Sequence, residues 1–208
     1  EHDAYVQSHC NEGQWEHDTV LARFGKEDPY ALRDFGLLRE HSIMAHCTFL
    51  TPDEGELFAQ VGAGIAHCPI SNAYFASSVL PVKRLREQGV HIGLGTDISG
   101  GFSPNMYDNI RQAVMASRML ETGVDAQRPE AERGSGDARI SVVEALYLAT
   151  AGGAEALGLP VGTFEPGRAF DLQVIDTRLP YADLTGFGVF DAPEDRLARI
   201  LYLATPDN

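Results

Sequence analysis

The chain has 208 residues, 44% of them apolar, and a formal net charge of −14. This is enough apolar side chain for one substantial core with a small appendage, and the acidity opposes a polynucleotide partner, because phosphates are held by Lys and Arg. No run of about 18 uncharged apolar residues is present to cross a membrane, and no secretory leader pattern opens the chain.

The first apolar run, Tyr5 to Ser8, reads as a strand ending at His9. Glu16 to Phe24 follows as a helix, and Pro29 begins another with Leu32, Phe35 and Leu38 on one face. Ser42 to Ala45 is a second strand running into His46. Asp53 to Val61 reads as a helix, with Thr51 as its cap and Leu57, Phe58 and Val61 as its apolar stripe. Gly64 to Ala66 leads into His67, Pro81 to Gln88 is a helix stopped by Gly89, and His91 to Thr96 leads into Asp97. Met106 to Glu121 is the longest helix, with Ile110, Val114 and Leu120 inward and Gly123 closing it. Strand alternating with helix predicts a parallel sheet with helical crossovers.

Asp125 to Arg139 lacks an apolar period and reads as an exposed loop. Ser141 starts a helix through Ala151, separated by Gly152 and Gly153 from a turn of helix over Ala154 to Leu157. Leu172 to Ile175 then reads as a strand and Ile200 to Leu203 as another, with no amphipathic helix between them, which suggests a small β unit. The division is residues 1–158 as a partial β/α barrel and 159–208 as a partial small β domain with a C-terminal segment. Four barrel-type strands are half of what closure requires. The chain is either a half-sized open α/β protein or the C-terminal half of a larger enzyme. The absence of Met at position 1 favours the second reading.

In a parallel β/α barrel, reactive groups come from the C-terminal ends of different strands and converge on one rim. His9, followed three residues on by Glu12, is either a neutral imidazole for zinc with a nearby carboxylate to shuttle protons, or a surface histidine before an acid that opens the next helix. Asp97 stands between Gly95 and Gly100-Gly101, on backbone that a ligand can approach closely. His46 and His67 end apolar strands, where a histidine serves either as a ligand or as a hydrogen-bonded packing residue. Each of Cys10, Cys47 and Cys68 directly follows one of these histidines, so strand alternation turns one member of each pair inward, imidazole or thiol. An odd, widely spaced set of three cysteines fits a reducing cytoplasm. Trp15, Phe49, Tyr74 and Phe75 either stack on a planar ligand or pack as core or lid. His2, His17, His41 and His91 receive no role. Neither the Walker pattern nor the dinucleotide fingerprint fits. Cys68-Pro69 reverses the order of the small zinc-deaminase signature, and no Cys-x-x-Cys occurs.

Taken together, Gln7-Ser8-His9 with Glu12, Met44-Ala45-His46-Cys47, His67-Cys68-Pro69-Ile70-Ser71-Asn72 and Gly95-Thr96-Asp97-Ile98-Ser99-Gly100-Gly101 resemble the amidohydrolase superfamily, and within it the guanine deaminases. Gly162-Thr163-Phe164-Glu165-Pro166-Gly167 and Phe170-Asp171 extend the resemblance over nearly the whole chain. It implies the C-terminal half, strands five to eight, of a TIM-type (β/α)8 barrel with part of a small flanking β domain. It implies zinc held by His9 and Asp97, with Glu12 as proton shuttle, His46 orienting the water, and Asp97 also acting as base. The implied reaction is cytoplasmic hydrolysis of guanine, a small purine base, to xanthine and ammonia, by a protein that is often a homodimer in relatives. The family's His-x-His ligand pair and its purine-holding Arg and Phe have no counterpart here, so a fragment without activity of its own is expected. The rival expectations are a deaminase or chlorohydrolase acting on another amino-substituted heterocycle, and a non-catalytic half-barrel that binds a partner.

Overall fold

A computed structural model describes residues 4–186 and 188–205; His2 lies outside them. Strands β1 (Val6–Cys10), β2 (Ser42–His46), β3 (Gly64–His67) and β4 (His91–Leu94) form one parallel sheet in that spatial order. Helices α1 (Gln14–Phe24) and α2 (Asp28–Asp34) cross from β1 to β2, and α3 (Pro52–Val61) from β2 to β3. Between β3 and β4 run α4 (Pro69–Ser71), a wide turn of helix over Asn72–Ala76, and α5 (Val82–Glu87). This is the α/β alternation expected.

The register explains the core. Met44 lies opposite Ile65, and Ile65 opposite Ile92. All three side chains are buried on the helix side with Phe58, Leu80, Leu85, Ile110 and Leu148, each worth about 1.5–3 kcal/mol of apolar transfer. The opposite face carries His9, Ala45, Ala66 and Gly93 in one row across the sheet. Helix starts follow their caps: Thr51 accepts from the Glu54 N–H while the Glu54 carboxylate accepts from the Thr51 N–H. Ser141 and Glu144 repeat the device.

After β4 come α6 (Met106–Thr122), α7 (Val142–Ala149) and α8 (Ala151–Leu157). The helix break falls at Thr150, whereas the sequence pointed to Gly152-Gly153. Those glycines lie inside α8 because the helix rests directly on the sheet. A Cβ on Gly152 would stand 2.8 Å from the Ile92 carbonyl, and one on Gly93 would stand 2.7 Å from the Gly153 Cα.

Two expected strands are corrected. Residues 172–175 form no strand, and Leu172 and Val174 are exposed; their β-branched pattern finds no partner among the described residues, and without one a lone strand has no stabilising contacts. Ile200 to Leu203 instead ends helix α9 (Pro193–Leu203). Pro193 at its start, Glu194 and Asp195 in the first turn, and buried Leu201 supply the helical signals. The expected small β unit amounts, among the described residues, to the antiparallel pair β5 (Arg178–Leu179) and β6 (Ala182–Asp183).

Candidate active site at the strand ends

The C-terminal ends of β1, β2 and the segment after β4 bring His9, Glu12, His46 and Asp97 towards one place. Their backbones leave the strands through left-handed conformations: φ is 49° at Asn11, 74° at His46, 56° at Cys47 and 48° at Asp97. Such conformations cost on the order of 1–3 kcal/mol each in a non-glycine residue and cluster where a side chain must be re-aimed. His46 shows what is gained. Strand alternation pairs it with Cys10 on the helix side, yet its ring stacks on His9 with centroids 5.2 Å apart and planes 9° from parallel.

His46 is fully buried. Its Nδ1 lies 2.9 Å from Asn72 Oδ1. Its Nε2 lies 3.8 Å from Glu12 Oε2 and, though buried, has no hydrogen-bond partner among the described residues. Ligand-type atoms of His9, Glu12 and His46 all lie within 4.8 Å of one another, the one such group among the described residues. Asp97 faces His9 and Glu12 across a cavity of about 340 Å³ that is also lined by Trp15, Phe75, Ala76 and Gly100. Gly100 permits this placement, since a Cβ there would stand 2.6 Å from Asp97 Oδ2. A roomier apolar cavity of about 630 Å³ lies towards the strand beginnings, against Gly153 and Ala156, and holds none of these groups.

The loop that carries Glu12 is held by its backbone. The Asn11 N–H donates to Asp28 Oδ2 at 2.8 Å, the Glu12 N–H to Glu16 Oε2 at 2.6 Å, and the Thr48 hydroxyl to the Glu12 carbonyl at 2.9 Å. Burial pushes the Asp28 and Glu16 carboxyls up, and each is drawn part of the way back by the N–H it accepts. Cys10, Cys47 and Cys68 are buried, burial and then Cys47 raise the Cys10 thiol, and burial and then Asp97 push Cys68 up to about 12. Cys10 and Cys47 lie in the core, whereas Cys68 lines a second strand-end cavity together with His9 and Asp97.

Among the aromatics weighed from sequence, Trp15 and Phe75 line the cavity, Tyr74 packs edge-on against Phe75 at 4.9 Å, and half-buried Phe49 is not part of the lining. His17, His41 and His91 contact Glu27, Tyr5 and Glu155, respectively, away from the site. Sequence reasoning assigned no role to Asp28, Glu16 or Asn72.

Residues 1–195 match the family model described as Amidohydrolase family. The chain belongs to the amidohydrolase family. It is 35% identical over 218 residues to the guanine deaminase of Mus musculus, across 100% of this chain and 45% of that protein. It is also 35% identical over 213 residues to a 5-methylthioadenosine/S-adenosylhomocysteine deaminase of Halobacterium salinarum, across 99% of this chain and 43% of that protein. Among solved amidohydrolase structures, E. coli guanine deaminase superposes with a TM-score of 0.79 at 28% identity, over 97% of this chain and 44% of that one. The guanine deaminase from C. acetobutylicum, solved with guanine in its active site, gives 0.74 at 31%, over 95% and 44%. An adenosine deaminase from Xanthomonas campestris with bound zinc gives 0.76 at 26%, over 97% and 42%. The chain thus spans less than half the length of these relatives, as an α/β piece with a parallel sheet.

Proposed function

We propose that this amidohydrolase chain is the C-terminal half, strands five to eight, of a zinc-dependent guanine deaminase barrel, with residues 159–208 belonging to the flanking unit. The observation that carries the reading is the convergence of His9, Glu12 and Asp97 on one cavity walled by Trp15 and Phe75, with the bare Nε2 of His46 beside Glu12. Imidazole nitrogen and carboxylate oxygen are the donors that catalytic zinc takes, and a buried, unpartnered ring nitrogen suits the same environment. His9 and Asp97 would hold the ion, which supplies Lewis acidity that brings the pKa of water towards about 7.

The chain's own groups divide the proton work. His46 Nε2 accepts a hydrogen bond from the attacking water and orients it. Asp97 takes the first water proton as oxygen adds to the ring carbon bearing the amine, while protonated Glu12 delivers its proton to the adjacent ring nitrogen. Asp97 passes its proton to the amine, the C–N bond breaks, ammonia leaves, and Glu12 recovers a proton from the new hydroxyl to leave the carbonyl of xanthine. Trp15 and Phe75 offer ring faces on which a planar ring can stack. The test is steady-state turnover by the complete protein on guanine, adenine, cytosine and 5-methylthioadenosine. Guanine is expected to have the highest kcat/KM. Brisk turnover of 5-methylthioadenosine with negligible turnover of guanine would move the assignment to the substrate class of the halobacterial relative.

A further inference from the structure

Behind the site, one carboxamide touches two histidines. Asn72 is fully buried at the start of the wide helical turn that also carries Phe75 and Ala76. Its Oδ1 lies 2.9 Å from His46 Nδ1, and its Nδ2 lies 3.4 Å from His67 Nδ1. The turn is pinned in place, because the Asn72 N–H donates to the Cys68 carbonyl at 2.8 Å and the Ser78 N–H donates to the Asn72 carbonyl at 3.2 Å. From this geometry we infer that Asn72 is a positioning residue: it holds the proton of His46 on Nδ1, so that the lone pair of Nε2 is aimed at Glu12 and the reacting water.

A neutral imidazole carries its proton on one nitrogen only, and a carboxamide accepts at one end and donates at the other. With Oδ1 on His46, the Nδ1–H is donated, Nε2 is bare, and the Nδ2 hydrogens meet the Nδ1 lone pair of His67. The reverse arrangement would put a proton on His46 Nε2. That proton would have no direct acceptor among the described residues, because Glu12 Oε2 at 3.8 Å is beyond hydrogen-bond reach, and a buried donor left without one costs roughly 1–3 kcal/mol. His67 completes the lock by staying neutral: burial, and then the nearness of His46, hold it down at about 3. An imidazole that has no charge can accept from the amide. Asn72 therefore does for His46 what outer partners do for metal-site histidines generally, which is to set tautomer and ring orientation together.

The role of the bare Nε2 rests on the proposed deaminase chemistry, whereas the tautomer does not, and the experiment separates them. The complete protein, labelled with 15N-histidine and stripped of metal by chelator, is examined at pH 8 by long-range 1H–15N correlation, with His46 assigned from its loss in His46→Gln. The wild type is expected to show His46 protonated at Nδ1 and bare at Nε2. Asn72→Asp, which retains an acceptor for His46, should preserve that pattern. Asn72→Leu, which removes it, should give a mixture of tautomers, together with about a 10- to 100-fold loss of kcat on whichever substrate the enzyme turns over and with Asn72→Asp retaining more activity than Asn72→Leu. A proton on His46 Nε2 in the wild type would overturn the inference whether or not either variant folds, as would a Leu variant with the wild-type spectrum and rate. Failure of guanine turnover alone would leave the spectrum as described and count against the deaminase reading only.

Discussion

Glu12 reaches the cavity because two acids behind it, buried Asp28 and half-buried Glu16, grip the backbone on which it sits, Asp28 through Asn11 and Glu16 through Glu12 itself. Its own side chain is free to move a proton. Glu12→Gln keeps the size and removes the acid, so a 10²- to 10⁴-fold drop in kcat is expected with zinc content unchanged in the complete protein; loss of metal alongside activity would make Glu12 a ligand instead. His67 gives a pH test. Its folded pKa of about 3 lies below the ordinary 6.5, so between those values the unfolded chain binds a proton that the folded chain refuses, and stability falls as pH falls. Asp28 and Glu16, raised in the fold, act with the opposite sign just above the carboxylate range. Wild type should therefore lose roughly 2 kcal/mol more than His67→Asn between pH 6.5 and 4.5, and parallel urea-unfolding profiles for the two would contradict the neutral burial of His67. The residue types of the candidate site were legible, since His9 and His46 end apolar runs and Glu12 and Asp97 lie just past such runs. The left-handed turns at His46 and Asp97 were not, because no glycine marks either position.

At the scale of elements, periodicity sufficed where a face had a core to meet. Met44, Ile65 and Ile92 are apolar at the buried register of their strands, and the capped starts at Thr51 and Ser141 were equally readable. It failed at 172–175, where a strand-like pattern has no partner among the described residues, and at Ile200–Leu203, where apolar residues in a row belong to a helix with Leu201 buried. Arg111 of α6 donates to the Leu201 carbonyl at 2.7 Å, a contact 90 residues away that no local pattern reveals. The glycines of α8 were likewise misread as a break because their reason is a close approach to β4. Gly93→Ala tests that reason. Its Cβ would stand 2.7 Å from the Gly153 Cα, a backbone atom that can yield only if α8 shifts. A loss of about 1–3 kcal/mol is expected in urea unfolding, against no change for Ala at position 136, where nothing lies within 4 Å, once the cost of its φ of 61° is measured separately with Gly136→Asn.

For the whole molecule, the decisive fact is that β1 and β4 are the two outer strands of the sheet. A closed barrel has no outer strands, and unpaired edges template association with other chains. His9, Ala45 and Ala66, in one row across the sheet, line with Asp97 a strand-end cavity of about 560 Å³. In relatives of which this chain covers about 45%, the remaining half has the length to complete such a barrel. Catalytic zinc commonly takes three protein ligands and keeps one position open. His9 and Asp97 alone fall short of that number, and His46, with Nδ1 committed to Asn72, offers only its Nε2. The 208-residue chain on its own is therefore expected to take up well under one equivalent of zinc in equilibrium dialysis, to turn over no guanine, and to elute from size exclusion above its 22.6 kDa mass. If the proposed function is right, a protein that also carries the half of the relatives' length missing here is expected to hold one zinc and to deaminate guanine. Stoichiometric zinc with measurable turnover in the short chain would mean that these strand ends make a sufficient site by themselves, and the half-barrel assignment would have to be abandoned.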